Sequence, residues 1–438
     1  MLIAALAVLI ALGCAAPAAA SRPGLDRSYG RGGIVQLAPP LPPGVFPQRY
    51  SSIGAAFARD GSAYASEAVS TCDQEQYGAS CQGGTRVFHY LTNGSLDPAF
   101  GDAGSVGLPE WVSTIAADAS GRALVAVRVQ QRWRVERLLP SGQPDASFGN
   151  QGSVGLGDLR DSVYLLAPAG QGRILVGAVG LLSGPSESPL RQVTLFRLLP
   201  DGRPDRSFAG DGRASYRLGV SPLELPISIG RHGSILILGD LCCEGFHPVY
   251  RISSKGRLDT AFDAAARGAE QRLTGFGETE PSAIVSRADG STDVLGSVGN
   301  PFSARGASGG FELRLLPSGR LDKSFGERGA QQLKLPVAAA SPGVGGGTMA
   351  VSQIGETVTV RRLLADGTPD RSFAGGGGVE APQPGRGVTL QPLAGGRVGL
   401  FDNGYRLCDE PACVTAPYLA RFIEPSPPRR QGRKGGHR

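Results

Sequence analysis

The side chains able to do chemistry are sparse in this chain: seven cysteines and four histidines among 438 residues. Cys242, Cys243, Glu244 and His247 form a metal-ligating set by residue type, yet their spacing matches no established zinc site, and oxidation would remove the thiolates. Asp201, Asp205 and Asp211 suggest a calcium loop, but Asp205 belongs to a periodic series whose other members lack such neighbours. No nucleophile elbow or phosphate-cradling loop is evident; Gly375 to Gly378 is a glycine-rich turn with no lysine or helix after it. These residues assign no catalytic group, no cofactor and no metal. Beyond Cys14, the cysteines fall in three local pairs: Cys72 with Cys81, Cys242 with Cys243, and Cys408 with Cys413. Each pair sits in one hairpin connection, expected between the third and fourth strands of a unit, and reads as a local disulfide of an exported protein. Closing the Cys72–Cys81 loop contributes about 2–3 kcal/mol on the chain-entropy model. Adjacent Cys242 and Cys243 have three outcomes open: a vicinal bridge, a bond to another chain, or free thiols.

The elements that position these residues come from a repeat. A glycine, two residues, an aspartate, two residues and then Phe or Tyr recur along the chain, with aspartates at Asp26, Asp97, Asp145, Asp205, Asp259, Asp322 and Asp370. Their separations of 71, 48, 60, 54, 63 and 48 residues are too irregular for a tight solenoid and suit a four-stranded propeller blade with variable hairpins. Each interval holds a short extended stretch such as Gly152–Leu156, an apolar run such as Ile174–Val179, and an alternating strand such as Val193–Leu199. Period-two alternation bounded by Gly, Pro, Asp and Ser is the strand signature, and no interval shows a sustained helical period. The phrase itself is expected to connect the last strand of one blade to the first strand of the next.

Within the phrase, glycine stands three residues before Asp in six copies, where the turn needs positive φ. The aspartate is placed to accept backbone N–H groups two and three residues on. The ring that follows (Tyr29, Phe100, Phe148, Phe208, Phe262, Phe325 or Phe373) is expected to plug the space between neighbouring blades, each burial being worth about 2–3 kcal/mol. Eight residues before each aspartate stands a basic residue: His89, Arg137, Arg197, Arg251, Arg314 and Arg362, with Arg421 in the same place before a missing eighth phrase. A repeated basic ring invites a binding role, but sevenfold recurrence favours pairing with the turn aspartates or carbonyls.

The chain starts on a phrase at Leu25-Asp26 and ends on the strand Tyr418–Ile423, so the two ends fit as two sides of one junction. The expected fold is therefore all-β: a single seven-bladed propeller of four-stranded blades closed by the terminal segments, with eight blades or an open arc as the alternative. The phrase, preceded by its Arg-bearing strand, resembles the delta-60 repeat of bacterial secreted and surface proteins over about residues 24 to 423. That resemblance implies a propeller fold and an extracytoplasmic address, and no agreed activity. Ala209, Asp263 and Ala374 replace the glycine after the aromatic, Ala266 replaces the later one, and the fifth copy is the most degenerate.

The formal charge of +6 lies almost wholly in Arg429, Arg430, Arg433, Lys434 and Arg438, so the folded body is close to neutral. Residues 425–438 read as a solvated basic tail able to meet anionic envelope polymers or lipid headgroups, and no basic stripe interleaved with aromatics points to nucleic acid. Residues 1–20 read as a signal peptide, with an apolar run too short to span a bilayer. Ala18-Ala19-Ala20 suits ordinary cleavage before Ser21; Ala11-Leu12-Gly13-Cys14 resembles a lipobox that would lipidate Cys14; an uncleaved anchor is the third reading. The propeller is assigned to 21–424. The expected function is a non-enzymatic, extracytoplasmic binding or scaffold module, secreted or lipid-anchored, engaging a protein or glycan through rim loops around Cys72–Gly84 and Leu181–Leu190. The alternative is a polysaccharide hydrolase or lyase with paired acids at the channel mouth.

Overall fold

Seven antiparallel sheets follow one another along the chain, and the last is completed by the first residues. The computed structural model describes residues 23–37, 45–47, 54–72, 81–159, 161–181, 190–220, 226–230, 232–239, 247–270, 275–299, 307–354, 357–376, 378–381, 388–402 and 417–425. Blade I is built from Gly54–Phe57, Ala63–Cys72, Cys81–Tyr90 and Ser105–Leu108, with Val45–Pro47 also paired to its second strand. Blade II uses Val112–Ala117, Ala123–Val129, Arg132–Leu138 and Ser153–Gly155. Blade III uses Ser162–Pro168, Ile174–Leu181, Arg191–Leu198 and Arg213–Leu218. Blade IV has Ile227–Ile229, Ile235–Leu238 and Val249–Ile252. Blade V has Thr279–Ser286, Thr292–Val298, Gly309–Leu315 and Ala330–Leu333, and blade VI has Ala339–Pro342, Thr348–Ile354, Thr357–Leu363 and Val379–Glu380. Blade VII joins Val388–Leu393, Arg397–Asp402 and Tyr418–Ile423 to the N-terminal Gly24–Leu25 and Ile34–Gln36.

First strands of successive blades meet one another around the ring, so they are the innermost. The ring closes on blade VII, where Leu25 pairs with Phe422 and Val35 with Leu419. This is the seven-bladed β-propeller that the repeat implies. The blade boundaries differ from expectation. Val154 after the phrase pairs back onto Val135 of the strand before it, so the phrase joins the third and fourth strands of one blade rather than two blades. Cys72 and Cys81 accordingly end the second strand and open the third strand of blade I, rather than lying between third and fourth strands.

The seams carry the core. Tyr29 packs between blades VII and I, Phe100 between I and II, Phe148 between II and III, Phe208 between III and IV, Phe262 between IV and V, and Phe373 between VI and VII. Phe325 is buried likewise. The glycine before each aspartate is needed for two reasons at once. Gly202 has φ +87°, and a Cβ there would stand 2.6 Å from Val154 Cγ2 of the preceding blade. Gly142 repeats this at φ +82°, against Val106 Cγ2 and the Gly101 nitrogen.

Blade IV departs from the plan. After its third strand the chain forms the helix Thr260–Glu270, against the reading that no interval is helical. The cause is local. Asp259 Oδ1 accepts the Phe262 N–H (3.0 Å), which makes the turn aspartate a helix N-cap. With Asp263 in place of glycine and an alanine-rich run behind it, the turn propagates instead of reversing. Ala266 and Ala269 then join Phe262 in the seam to blade V.

Candidate functional site

Strand direction sorts the connections onto two rims. One rim holds every turn between first and second strands together with every phrase; the other holds the second-to-third hairpins and the links between blades.

The phrase rim is a chain of ionic clasps. In blade II the Ser147 N–H and Oγ donate to Asp145 Oδ1, while Arg137 Nε donates to Oδ2 at 2.8 Å. The same guanidinium lies over the Phe148 ring, and its Nη1 donates to the Pro200 carbonyl of blade III. Blade III repeats the arrangement with Arg197, Asp205, Ser207, Phe208 and the Ser254 carbonyl. Arg251 clasps Asp259 and reaches the Pro317 carbonyl, and Arg421 clasps Asp26 and reaches Thr92. Guanidinium-to-ring distances run from 3.8 to 4.8 Å across five blades. Burial works against the ionised Asp205, but the Ser207 hydrogen bonds and Arg197 outweigh it and hold the carboxyl at about 2. The recurring basic residue is therefore structural: it ties the plug, the turn and the next blade together.

A second arginine, absent from the sequence reading, completes three of these clasps. Arg122, Arg173 and Arg397 each donate to the aspartate of their own blade, Asp145, Asp205 and Asp26. Its signal is a Gly-Arg pair just ahead of the second strand, at Gly121-Arg122, Gly172-Arg173 and Gly396-Arg397. Three blades deviate. In blade I, His89 Nδ1 reaches Asp97 at 2.8 Å, but its buried Nε2 has no partner, being too short to grip the next blade. In blade V, Arg314 turns away from Asp322 to Asp293 on the second strand (Nε–Oδ1 2.6 Å). In blade VI, Arg362 holds Asp370 and also Glu424, just past the closing strand.

The opposite rim has no such uniformity. Its hairpins include the two-residue turn Gln130-Gln131, and the strand pair carrying Cys72 and Cys81 ends there. Trp111, Tyr164 and Ile354, three of the exposed large hydrophobic residues, lie at or beside it. Trp111 packs on Gly83, where a Cβ would collide with its ring at 2.3 Å. Cys72 and Cys81 stand directly opposite each other at the end of their strand pair.

The innermost strands, which a propeller enzyme would use at its channel, carry a single acid among the described residues, Glu280. His247 Nε2 lies 3.7 Å from it. The three aspartates of the calcium-like run are occupied separately: Asp205 in its clasp, Asp201 by Arg203, Asp211 by the Arg213 N–H. Cys14, Cys242, Cys243, Glu244, Cys408, Cys413, the leader and residues 426–438 lie outside the described residues.

No family model and no curated protein matches the chain. Among solved structures, a catalytically inactive virginiamycin B lyase from Staphylococcus aureus, crystallised with quinupristin, is 11% identical, with 86% of this chain and 99% of that one covered at a TM-score of 0.42. The Dos1 propeller is 9% identical over 87% and 95% of the two chains, with a TM-score of 0.46. The calcium-binding protein regucalcin from Agrobacterium tumefaciens is 11% identical over 87% and 94%, with a TM-score of 0.35.

Proposed function

We propose that the protein is a non-enzymatic binding scaffold outside the cytoplasm, secreted or lipid-anchored through Cys14, whose variable rim engages a glycan or protein. One observation carries this reading: a clasp recurs blade after blade on one rim, with variations in blades I, V and VI and a helix in blade IV, while no such repeat occupies the described residues of the other rim. Two exposed rings, Trp111 and Tyr164, stand on adjacent blades of the variable rim, whereas the exposed large apolar side chains of the clasp rim are the single leucines Leu316 and Leu364. Among the described residues Glu280 is the one acid on the innermost strands, and glycosidic acid–base chemistry needs two carboxylates about 5–10 Å apart. The delta-60 resemblance supplies the address, and the basic tail supplies a contact for anionic envelope polymers.

Two measurements check the reading. On glycan arrays and envelope-extract pull-downs, replacing Trp111 and Tyr164 by alanine is expected to reduce capture at least about tenfold, the equivalent of 1.4 kcal/mol, with unchanged thermal stability. Turnover of a captured polysaccharide would overturn it in favour of the enzyme. Peptide mapping without reductant is expected to yield Cys72 linked to Cys81. Directly paired strand positions hold their Cα atoms about 4.5–5.5 Å apart, within disulfide reach. Free thiols at both positions in exported protein would remove that bridge and weaken the assigned address.

A further inference from the structure

The seam between blades V and VI is unlike the other six. Its apolar cluster is Ala283, Val285, Leu295, Val337, Ala350 and Leu363, with no ring among them, and the blade V aromatic Phe325 is buried outside that cluster beneath Arg314. Blade VI presents to this seam Ser352 and Ile354 from its second strand, with Thr357, Thr359 and Arg361 from its third. Cross-strand pairing puts Ser352 opposite Thr359, Ile354 opposite Thr357 and Ala350 opposite Arg361, so these side chains share one face. These side chains line an open hollow of about 450 Å³, to which Leu335 and Glu380 also contribute. That size lies within the range of small-molecule sites, roughly 300–1,000 Å³.

Arg361 is the anomaly within it. Its place, one residue before the clasp arginine, is filled by Phe88 in blade I, Phe196 in blade III, Tyr250 in blade IV and Leu313 in blade V. Blade II has Glu136 there, but Arg134 neutralises it at 2.8 Å. Arg361 has no such relief: its Nε is buried without a hydrogen-bond partner. Burial pulls its pKa below the usual arginine value, and among the described residues no carboxylate pairs with it. A half-buried guanidinium without an acceptor, lining an open hollow, is costly unless something else supplies the acceptor.

We propose that this hollow binds a carboxylate-bearing sugar, a uronic-acid unit, whose carboxylate pairs with Arg361. A planar carboxylate matches the guanidinium fork. The Ser352, Thr357 and Thr359 hydroxyls and the Glu380 carboxylate offer donors and acceptors to ring hydroxyls, while Ile354 and Leu335 offer an apolar wall to the C–H face of the ring. A phosphate dianion fits less well, because Arg361, the one cation among the described lining residues, does not balance two negative charges in a hollow that Glu380 also lines. The proposal names a ligand class for the binding scaffold and rests on that reading, although the hollow lies in a seam, away from Trp111 and Tyr164.

The test is calorimetric titration of the full chain with glucuronate and digalacturonate, using glucose and inorganic phosphate as comparison probes. Saturable uronate binding is expected, with glucose and phosphate at least about tenfold weaker. Arg361→Ala is expected to lower uronate affinity at least about tenfold, and Arg361→Lys to recover part of the loss. Should Arg361→Ala fail to fold, Thr357→Trp, which fills the hollow from an exposed lip, is expected to block binding alone. Uronate affinity left unchanged by both Arg361→Ala and Thr357→Trp, equal binding of glucose, tighter binding of phosphate, or no heat with uronates would each overturn the site. Rim capture that still depends on Trp111 and Tyr164 while uronates give no heat would sink this site and leave the scaffold reading standing.

Discussion

Replacing Arg421 by alanine is expected to destabilise the propeller by about 3–5 kcal/mol, the usual consequence of stranding one member of a buried ion pair. Three attachments go at once. Arg421 Nε holds Asp26 Oδ2 at 2.8 Å, its guanidinium lies 4.5 Å from the centre of the Tyr29 ring, and its Nη1 grips the Thr92 carbonyl of blade I. Asp26 would remain buried with the Ser28 hydrogen bonds and, as its cation, the more exposed Arg397 at 3.3 Å. Arg137→Ala removes equivalent contacts from blade II, but Arg421 sits where the two ends of the chain are joined. Its loss should therefore accelerate unfolding as well as lower stability, with hydrogen exchange rising first over Gly24–Gln36. Arg421→Lys supplies a point charge without the fork and should recover only part of the loss. Arg173→Ala, whose side chain is about a quarter exposed beside Asp205, provides the contrast and should cost about 1 kcal/mol or less. Denaturant titration of the four variants checks the set; an Arg421→Ala protein as stable as Arg173→Ala would show that the clasps do not hold the ring.

Periodicity explains what could be read in advance. The plugs, the positive-φ glycines, the aspartate turns and the closure all recur, and recurrence across blades marks them as consequences of one geometry. What failed was phase. A phrase is visible as a unit in the sequence, but only pairing decides whether Gly152–Leu156 opens a new blade or finishes the old one, and Val154 returns to Val135. The helix at Thr260–Glu270 was hidden because an aspartate that closes a turn and one that caps a helix are the same residue in the same place. Arg122, Arg173 and Arg397 occur in three blades only, too few to stand out against ordinary surface arginines. The hollow of blade VI was illegible for the opposite reason. Arg361 is the one arginine at its place in the repeat, and next to Arg362 it looks like part of the motif.

Blade V holds the other exception, and its pH dependence should run opposite to that of the clasps. Asp293, fully buried, accepts Arg314 Nε and Arg287 Nη1, each at 2.6 Å. Glu312, also fully buried, accepts one hydrogen bond from Gln331 Nε2 at 2.8 Å, and its Oε1 has no hydrogen-bond partner. Burial, with the Asp293 charge beside it, pushes the Glu312 carboxyl well above the usual carboxylate range. A raised native pKa means that the folded state keeps a proton the unfolded chain releases. Stability from this group is then fully present below about pH 4.3 and is lost as pH rises towards the native value. The clasp aspartates behave in reverse: Asp205 contributes above about pH 3.9 and fails as the pH falls through its native value of about 2. Glu312→Gln, which can still donate and accept, should remove the neutral-side decline and leave the acid limb intact. Asp293→Ala should do the opposite of stabilising: Arg287 and Arg314 lose their shared acceptor in a buried seam, at a cost of about 3–5 kcal/mol, moderated to the extent that Arg314 swings to Asp322. Stability measured from pH 3 to 9 separates these outcomes. A Glu312→Gln protein that declines with pH as the parent does would place the titrating group elsewhere.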